Sequence, residues 1–237
     1  HIIDERFQLM PGGGQLFHRV ADLFRILRVV VGDLGHAQNA VERRADVVAH
    51  PGEKGRLIME LMRLVALAIG YAFGLILSGY LFGKKKDVDI RKQGSGNIGT
   101  TNTMRILGIK VGALTLVCDC LKCVAAVVVV WLLFRTSYPE HIVLLELYGA
   151  LGAILGHDFP FFMKFKGGKG IACSFGMIIA LFPQCLPLCV LIFVLAVAIT
   201  RYVSLGSILA ALGLMVQIWI FGAKGWLAFA TSDLLEA

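Results

Sequence analysis

The chain has 237 residues, of which 57% are apolar and only 16% charged, and its formal net charge is +7. A soluble domain carries about 25% charged and about 45–50% apolar residues, so the departure is in the direction of the bilayer. Disordered chains, disulfide-framework miniproteins and ordinary soluble enzymes are excluded. A surplus of 23 basic over 16 acidic residues, thinly spread over so apolar a chain, argues against nucleic acid. It fits short basic loops between membrane spans that face anionic lipid or a phosphorylated substrate.

Residues 1–60 hold eight basic and eight acidic side chains, so the whole surplus falls after them. Seven of those eight basic residues are Arg, whereas ten of the remaining 15 are Lys. This shift divides the chain into an amino-terminal extension over 1–60, a membrane domain over 61–223 and a tail over 224–237. In the extension, Leu16, Val20, Leu23, Phe24, Leu27, Val30 and Val31 recur at helical spacing between Arg19, Arg25 and Arg28. Such a helix lies on a membrane surface, or is a short soluble helix, or belongs to a segment foreign to the functional protein. No secretory signal pattern opens the sequence.

A membrane span needs about 20 mostly apolar residues. Residues 64–82 are 19 residues without a charge and the first clear candidate. Residues 111–134 follow, with Asp119 and Lys122 in their first half, and then 142–163, with Glu146, His157 and Asp158 inside. Residues 171–200 are too long for one upright span. Pro183 and Pro187 make them one kinked helix or two shorter ones. Residues 202–223 are the last stretch. The expectation is an all-α, polytopic integral membrane protein with five to seven spans and glycine-rich loops. Asp119 and Lys122 stand three apart on one helical turn, which suits an internal ion pair at the membrane edge better than catalysis.

Lys84, Lys85, Lys86, Arg91, Lys92 and Arg105 crowd the loop after the first stretch, and Lys164, Lys166 and Lys169 the loop after the third. The positive-inside rule places both loops in the cytoplasm, where they can build one site. The six cysteines all lie in or beside apolar runs. Cys120 and Cys123 have C-x-x-C spacing but no second ligand pair, so packing is preferred to zinc or redox chemistry.

Three polar islands carry the chemistry. The first, Gly94-Ser95-Gly96-Asn97-Ile98-Gly99-Thr100-Thr101-Asn102-Thr103-Met104-Arg105, combines close-approach glycines, neutral donors and a guanidinium fork that matches a phosphate. The second runs from Gly156-His157-Asp158-Phe159-Pro160 to Phe165-Lys166-Gly167-Gly168-Lys169-Gly170, where two lysines around a glycine pair suggest an anion cradle. It is not a Walker loop, because Gly170 follows Lys169. The third, Thr200-Arg201-Tyr202-Val203-Ser204-Leu205-Gly206-Ser207, has a lone Arg with hydroxyls at a membrane edge.

These three islands resemble the bacterial acyl-phosphate:glycerol-3-phosphate acyltransferase family over about residues 70–222. The resemblance implies a multi-pass enzyme of the bacterial inner membrane with cytoplasmic active-site loops. It would move a fatty acyl group from acyl phosphate to the 1-hydroxyl of glycerol 3-phosphate, yielding lysophosphatidic acid for phospholipid synthesis. No acyl-CoA, cofactor or metal would be needed, and a soluble enzyme that makes acyl phosphate would be a functional partner. Ser95, Asn97, Arg105 and His157 are then the catalytic candidates. Gly96, Thr101, Asn102, Lys166, Gly167, Gly168, Lys169, Gly170, Arg201 and Ser204 are the substrate-binding ones.

Three features depart from the family pattern. Residues 1–60 have no counterpart in it, and Cys123 replaces a Gly. A His-Arg-x-Asn-Ile segment with a later Glu is absent from residues 226–237, so weakened substrate binding is expected.

Acyl phosphate is an activated mixed anhydride, so positioning and oxyanion stabilisation suffice and no covalent nucleophile is required. His157 is either a general base or the brace of the turn before Pro160. A substrate phosphate oxygen is the other acceptor for the proton. An acyltransferase of the His-x4-Asp type is excluded, because no His has Asp five residues later. The rival class is a transporter or channel for an anionic solute, which usually shows internal repeats, and none is seen.

Overall fold

The computed structural model describes residues 51–225. The expectations for the amphipathic segment in residues 1–50 and for residues 226–237 lie outside the described residues. The chain divides into two compact units, His1–Leu61 and Met62–Ala237, and the packing and site below belong to the second.

Every described element is helical: α1 (Pro51–Gly74), α2 (Ser78–Lys85), α3 (Thr100–Leu107), α4 (Ile109–Phe134), α5 (Ile142–Asp158), α6 (Ile171–Leu181), α7 (Leu186–Thr200) and α8 (Val203–Ala223). Five segments are long and apolar enough to cross a bilayer: Gly55–Lys85, Ile109–Phe134, Pro139–Met163, Pro183–Thr200 and Val203–Ala223. At 1.5 Å per residue the 26 residues of α4 extend about 39 Å, ample for a bilayer core of about 30 Å. The 11 residues of α6 reach only about 17 Å. The long apolar run over 171–200 is thus two helices. They part at Phe182, just before Pro183, which cannot donate to a continuing helix.

The first apolar run lies within one candidate span, Gly55–Lys85, but is not one continuous helix. It stops at Gly74 and resumes at Ser78, although neither proline nor charge interrupts it. In a membrane, backbone carbonyls freed by such a break need another donor. Lys122, from the middle of α4, supplies it, its Nζ lying 2.7 Å from Ile76 O and 3.3 Å from Gly74 O.

Small residues hold α1 against α5. A Cβ on Gly70 would strike the carbonyl of Gly149, and one on Gly156 the carbonyl of Tyr71. The same backbone-to-backbone approach recurs at Gly74 and Gly152. Without a hydrophobic force between helices in lipid, such close van der Waals contact is what associates them.

The main core lies between α4, α5 and α6, with Cys123, Ala126, Val127, Ala150, Ala153, Cys173 and Ile178 buried, and extends to Phe182, Cys185 and Cys189. The cysteines pack as expected. Cys120 Sγ sits 3.1 Å from Ala172 O, and all six are free thiols. Helices α7 and α8 keep large apolar side chains exposed, among them Ile199, Met215 and Trp219, as lipid-facing helices do.

Candidate functional site

Helices α4 and α5 are antiparallel neighbours joined by the short turn over residues 135–141, so the loop before α4 and the loop after α5 emerge at one end. The two loops touch. Met163 packs against the buried Leu77, Ile90 and Ile98, and Arg91 Nη1 lies 3.3 Å from Met163 Sδ. Arg91 is itself held by Asp89 in a forked ion pair of 2.8 and 2.9 Å, with Tyr80 4.9 Å away beneath its guanidinium. That hydrogen bonding holds the Asp89 carboxyl down at about 2. Asp89 therefore stays ionised at neutral pH and loses this support only as the pH falls towards 2.

The first loop is wound around Asn102. Its Nδ2 donates to Asn97 O at 2.8 Å, Ile90 O at 3.1 Å and Gln93 O at 3.2 Å, and its Oδ1 accepts from Ser95 N at 2.9 Å. Gly94 and Gly96, with φ of 59° and 70°, take the left-handed turns that close the loop over it. Asn102 is buried and its amide is spent inside the loop. The expectation that it touches substrate gives way to an organising role. Asn97 Oδ1 likewise accepts from Gly99 N at 2.8 Å.

Among the described residues, the side chains of Ser95, Thr101 and Arg105 are exposed and uncommitted, and the buried Thr100 Oγ1 also lacks a hydrogen-bond partner. Thr101 and Arg105 share one face of α3, four residues apart. The first intrahelical amide bond of α3 is Thr103 N to Gly99 O at 3.1 Å, and Gly99 brings no side-chain cap. The preceding amides are therefore open to an anion.

The second loop folds back over the end of α5. Tyr71 Oη donates to Phe159 O at 2.7 Å and accepts from Phe161 N at 3.2 Å. Lys164 and Phe165 adopt left-handed backbone, φ 54° and 58°, a region bulky side chains rarely enter.

The glycine pair does not cradle an anion with its amides. Gly167 N donates to Asp158 O and Gly168 N to His157 O, each at 2.9 Å. What the pair permits is close approach, since a Cβ on Gly168 would collide with His157 Nε2 and one on Gly167 with the His157 carbonyl. Gly170 (φ 63°) opens α6. Lys166 and Lys169 remain exposed on either side of the pair, with no hydrogen bond or ion pair to other described residues.

His157 is 2% exposed. Its Nδ1 is 2.8 Å from Lys122 Nζ, and an ammonium only donates, so Nδ1 accepts and the ring hydrogen sits on Nε2, against Gly168. No lone pair is left to act as a base. Asp119 completes the cluster, 2.9 Å from Lys122 Nζ and accepting from Ser78 Oγ at 3.0 Å. The internal ion pair read from the spacing is present, yet it lies at the root of both loops. Ser78 and Tyr71 gave no signal in the sequence. The charges of Asp119 and Lys122 inside an apolar helix did give one.

Arg201 and Ser204 lie exposed at the turn between α7 and α8. Among the described residues, no bond ties them to either glycine-rich loop.

The fold and site thus define a multi-pass helical membrane protein with two cationic, glycine-rich loops joined at one end. The family described as glycerol-3-phosphate acyltransferase matches residues 64–235, and the chain belongs to that family. The glycerol-3-phosphate acyltransferase of Trichlorobacter lovleyi is 44% identical over 145 residues, which are 61% of this chain and 72% of that protein. That of Chlorobium phaeobacteroides is 39% identical over 180 residues, covering 71% of this chain and 77% of that one. The crystal structure of PlsY (YgiH), an integral membrane glycerol 3-phosphate acyltransferase, in its glycerol 3-phosphate form, superposes with a TM-score of 0.60. It is 34% identical and covers 68% of this chain and 78% of that one. Its lysophosphatidic acid form gives a TM-score of 0.59 at 33% identity, over 68% and 77% of the two chains.

Proposed function

We propose that this chain transfers a fatty acyl group from acyl phosphate to the 1-hydroxyl of glycerol 3-phosphate, yielding lysophosphatidic acid and inorganic phosphate. The observation that carries the reading is the pairing of two loops with uncommitted cations, Arg105 on one and Lys166 and Lys169 on the other, joined through Arg91 and Met163. Two phosphorylated substrates need two cationic anchors, and each loop supplies one.

The hydroxyl oxygen attacks the acyl carbon, the carbon–oxygen bond of the anhydride breaks, and phosphate leaves with the electron pair. With Nδ1 of His157 held by Lys122 and the ring hydrogen on Nε2, the imidazole has no free lone pair, and the proton passes to a phosphate oxygen of the donor. Ser95 and the open amides of α3 are the donors for the developing oxyanion. Acyl phosphate should therefore support lysophosphatidic acid formation by the purified protein while acyl-CoA does not. Equal or faster transfer from acyl-CoA would overturn the reading.

Arg105→Lys keeps the charge but loses the planar fork. It should lower kcat/KM by about 100-fold, while Lys169→Ala should chiefly raise the KM for one phosphorylated substrate. Wild-type kinetics in both would remove these side chains from the site.

Lys84 and Lys85 in the last turn of α2, with Lys86, Lys92, Lys164, Lys166 and Lys169 in the two loops, stand at one end, and the positive-inside rule assigns that end to the cytoplasm of the bacterial inner membrane. Cysteines introduced at Lys85 and Lys164 should react with an impermeant maleimide only from the cytoplasmic face. Five of the native thiols are buried and Cys118 is partly so, which keeps the background low. Labelling of the two positions from opposite faces would refute a shared site.

A further inference from the structure

The break between α1 and α2 and the loop between α5 and α6 share one buried cation. Lys122 is 6% exposed, and its three ammonium protons have three short acceptors. These are Ile76 O at 2.7 Å, His157 Nδ1 at 2.8 Å and Asp119 Oδ1 at 2.9 Å, with Gly74 O further off at 3.3 Å. Each contact leads to a different part of the site. The Gly74 and Ile76 carbonyls open directly into α2, whose Gly79 lies against the Ile98 carbonyl of the first loop. His157 supports the second loop, holding Gly168 by its carbonyl and lying against it through its ring. Asp119, wholly buried, balances the charge and is fixed in turn by Ser78 at the start of α2.

A charge in this position is unfavourable in lipid, and a well-packed apolar side chain would stabilise the bundle as well or better. The bond pattern gives the cation a different use. We propose that Lys122 is a positioning residue for acyl transfer, fixing the two substrate loops relative to each other through the Gly74 and Ile76 carbonyls on one side and His157 on the other. This rests on the reading above, in which each loop holds one substrate. Lys122 touches no substrate; it acts through the backbone of the break and through the tautomer and orientation of His157.

The test uses the full chain in lipid bicelles and the nearly isosteric Lys122→Met. Kinetics with acyl phosphate and glycerol 3-phosphate are measured beside the ¹⁵N spectrum of labelled histidine. In the wild type the His157 signals should report hydrogen on Nε2 alone. In Lys122→Met that pattern should be lost, and kcat/KM for both substrates should fall about 100-fold in protein that still elutes as folded. A folded variant with wild-type kinetics overturns the proposal, and so does an unchanged histidine spectrum. If Lys122→Met fails to fold, His157→Asn and His157→Leu decide. Asn preserves an acceptor for Lys122 and should retain at least about ten times the activity of Leu, whereas equal activities would overturn the proposal. Should the wild type transfer no acyl group from acyl phosphate, the functional reading fails by itself, and the histidine spectra still decide whether Lys122 sets His157.

Discussion

Gly168→Ala should reduce acyl transfer by about 100-fold while the helices persist, because the added methyl has nowhere to go. Its Cβ would fall on the His157 imidazole, and that ring cannot swing aside while Lys122 holds its Nδ1 at 2.8 Å. Overpacking of this kind costs about 1–3 kcal/mol when absorbed by local shifts. Here the element that must shift is the loop carrying Lys166 and Lys169. A displacement of about 1 Å in a positioning group is enough for a loss of about 100-fold. Gly55→Ala is the matching control, since nothing lies within 4 Å of its added Cβ. A glycine in a helix interior is less stable than alanine by about 0.5–1 kcal/mol, so that variant should be active and no less stable. Thermal unfolding beside initial rates separates the two cases. A fully active Gly168→Ala would show that the contact with His157 does not set the loop.

The contrast between these glycines marks how far the sequence could be read. Composition alone placed the chain in the bilayer, because 57% apolar residues leave no soluble alternative, and Pro183 marked where the long run over 171–200 divides. The glycine–lysine loops were legible as chemistry. How their parts divide the work was not. Gly167 and Gly168 looked like amides offered to an anion, whereas those amides meet the carbonyls of Asp158 and His157. The break after Gly74 was equally hidden. Nothing within residues 64–83 forbids a continuous helix, and the donor that makes a break tolerable stands on α4, some 46 residues along the chain. Lys122 was visible only as one half of an ion pair, since spacing reveals a partner on the same helix and not those on two others. Elements whose cause is local were recoverable from local pattern. Those stabilised from a distance were not.

Asn102 is the clearest case of a site residue with its meaning in tertiary structure, and it carries the second large expected effect. Asn102→Ala leaves the Asn97 carbonyl and the Ser95 amide without a partner, and the Ile90 and Gln93 carbonyls with only their turn bonds from Gln93 N and Gly96 N. An unsatisfied buried group costs about 1–3 kcal/mol. Water can reach part of this loop, so the total should stay below the sum, at roughly 3 kcal/mol or more. The helices that carry the main core, α4, α5 and α6, do not depend on these bonds, and circular dichroism should be unchanged. The loss should appear as slackening of residues 90–99, read as faster amide hydrogen exchange there. It should also appear as a fall of about 100-fold in kcat/KM for glycerol 3-phosphate, because Ser95, Thr101 and Arg105 are then no longer held together. Asn102→Asp sharpens the test. It keeps an oxygen for Ser95 N but replaces the donor to three carbonyls with a second oxygen, so lone pairs face lone pairs. If Asn102 organises the loop through Nδ2, the Asp variant should be at least as impaired as the Ala variant. An Asp variant within about threefold of wild type would mean that the acceptor alone suffices, and the loop would have to be held by its left-handed glycines instead.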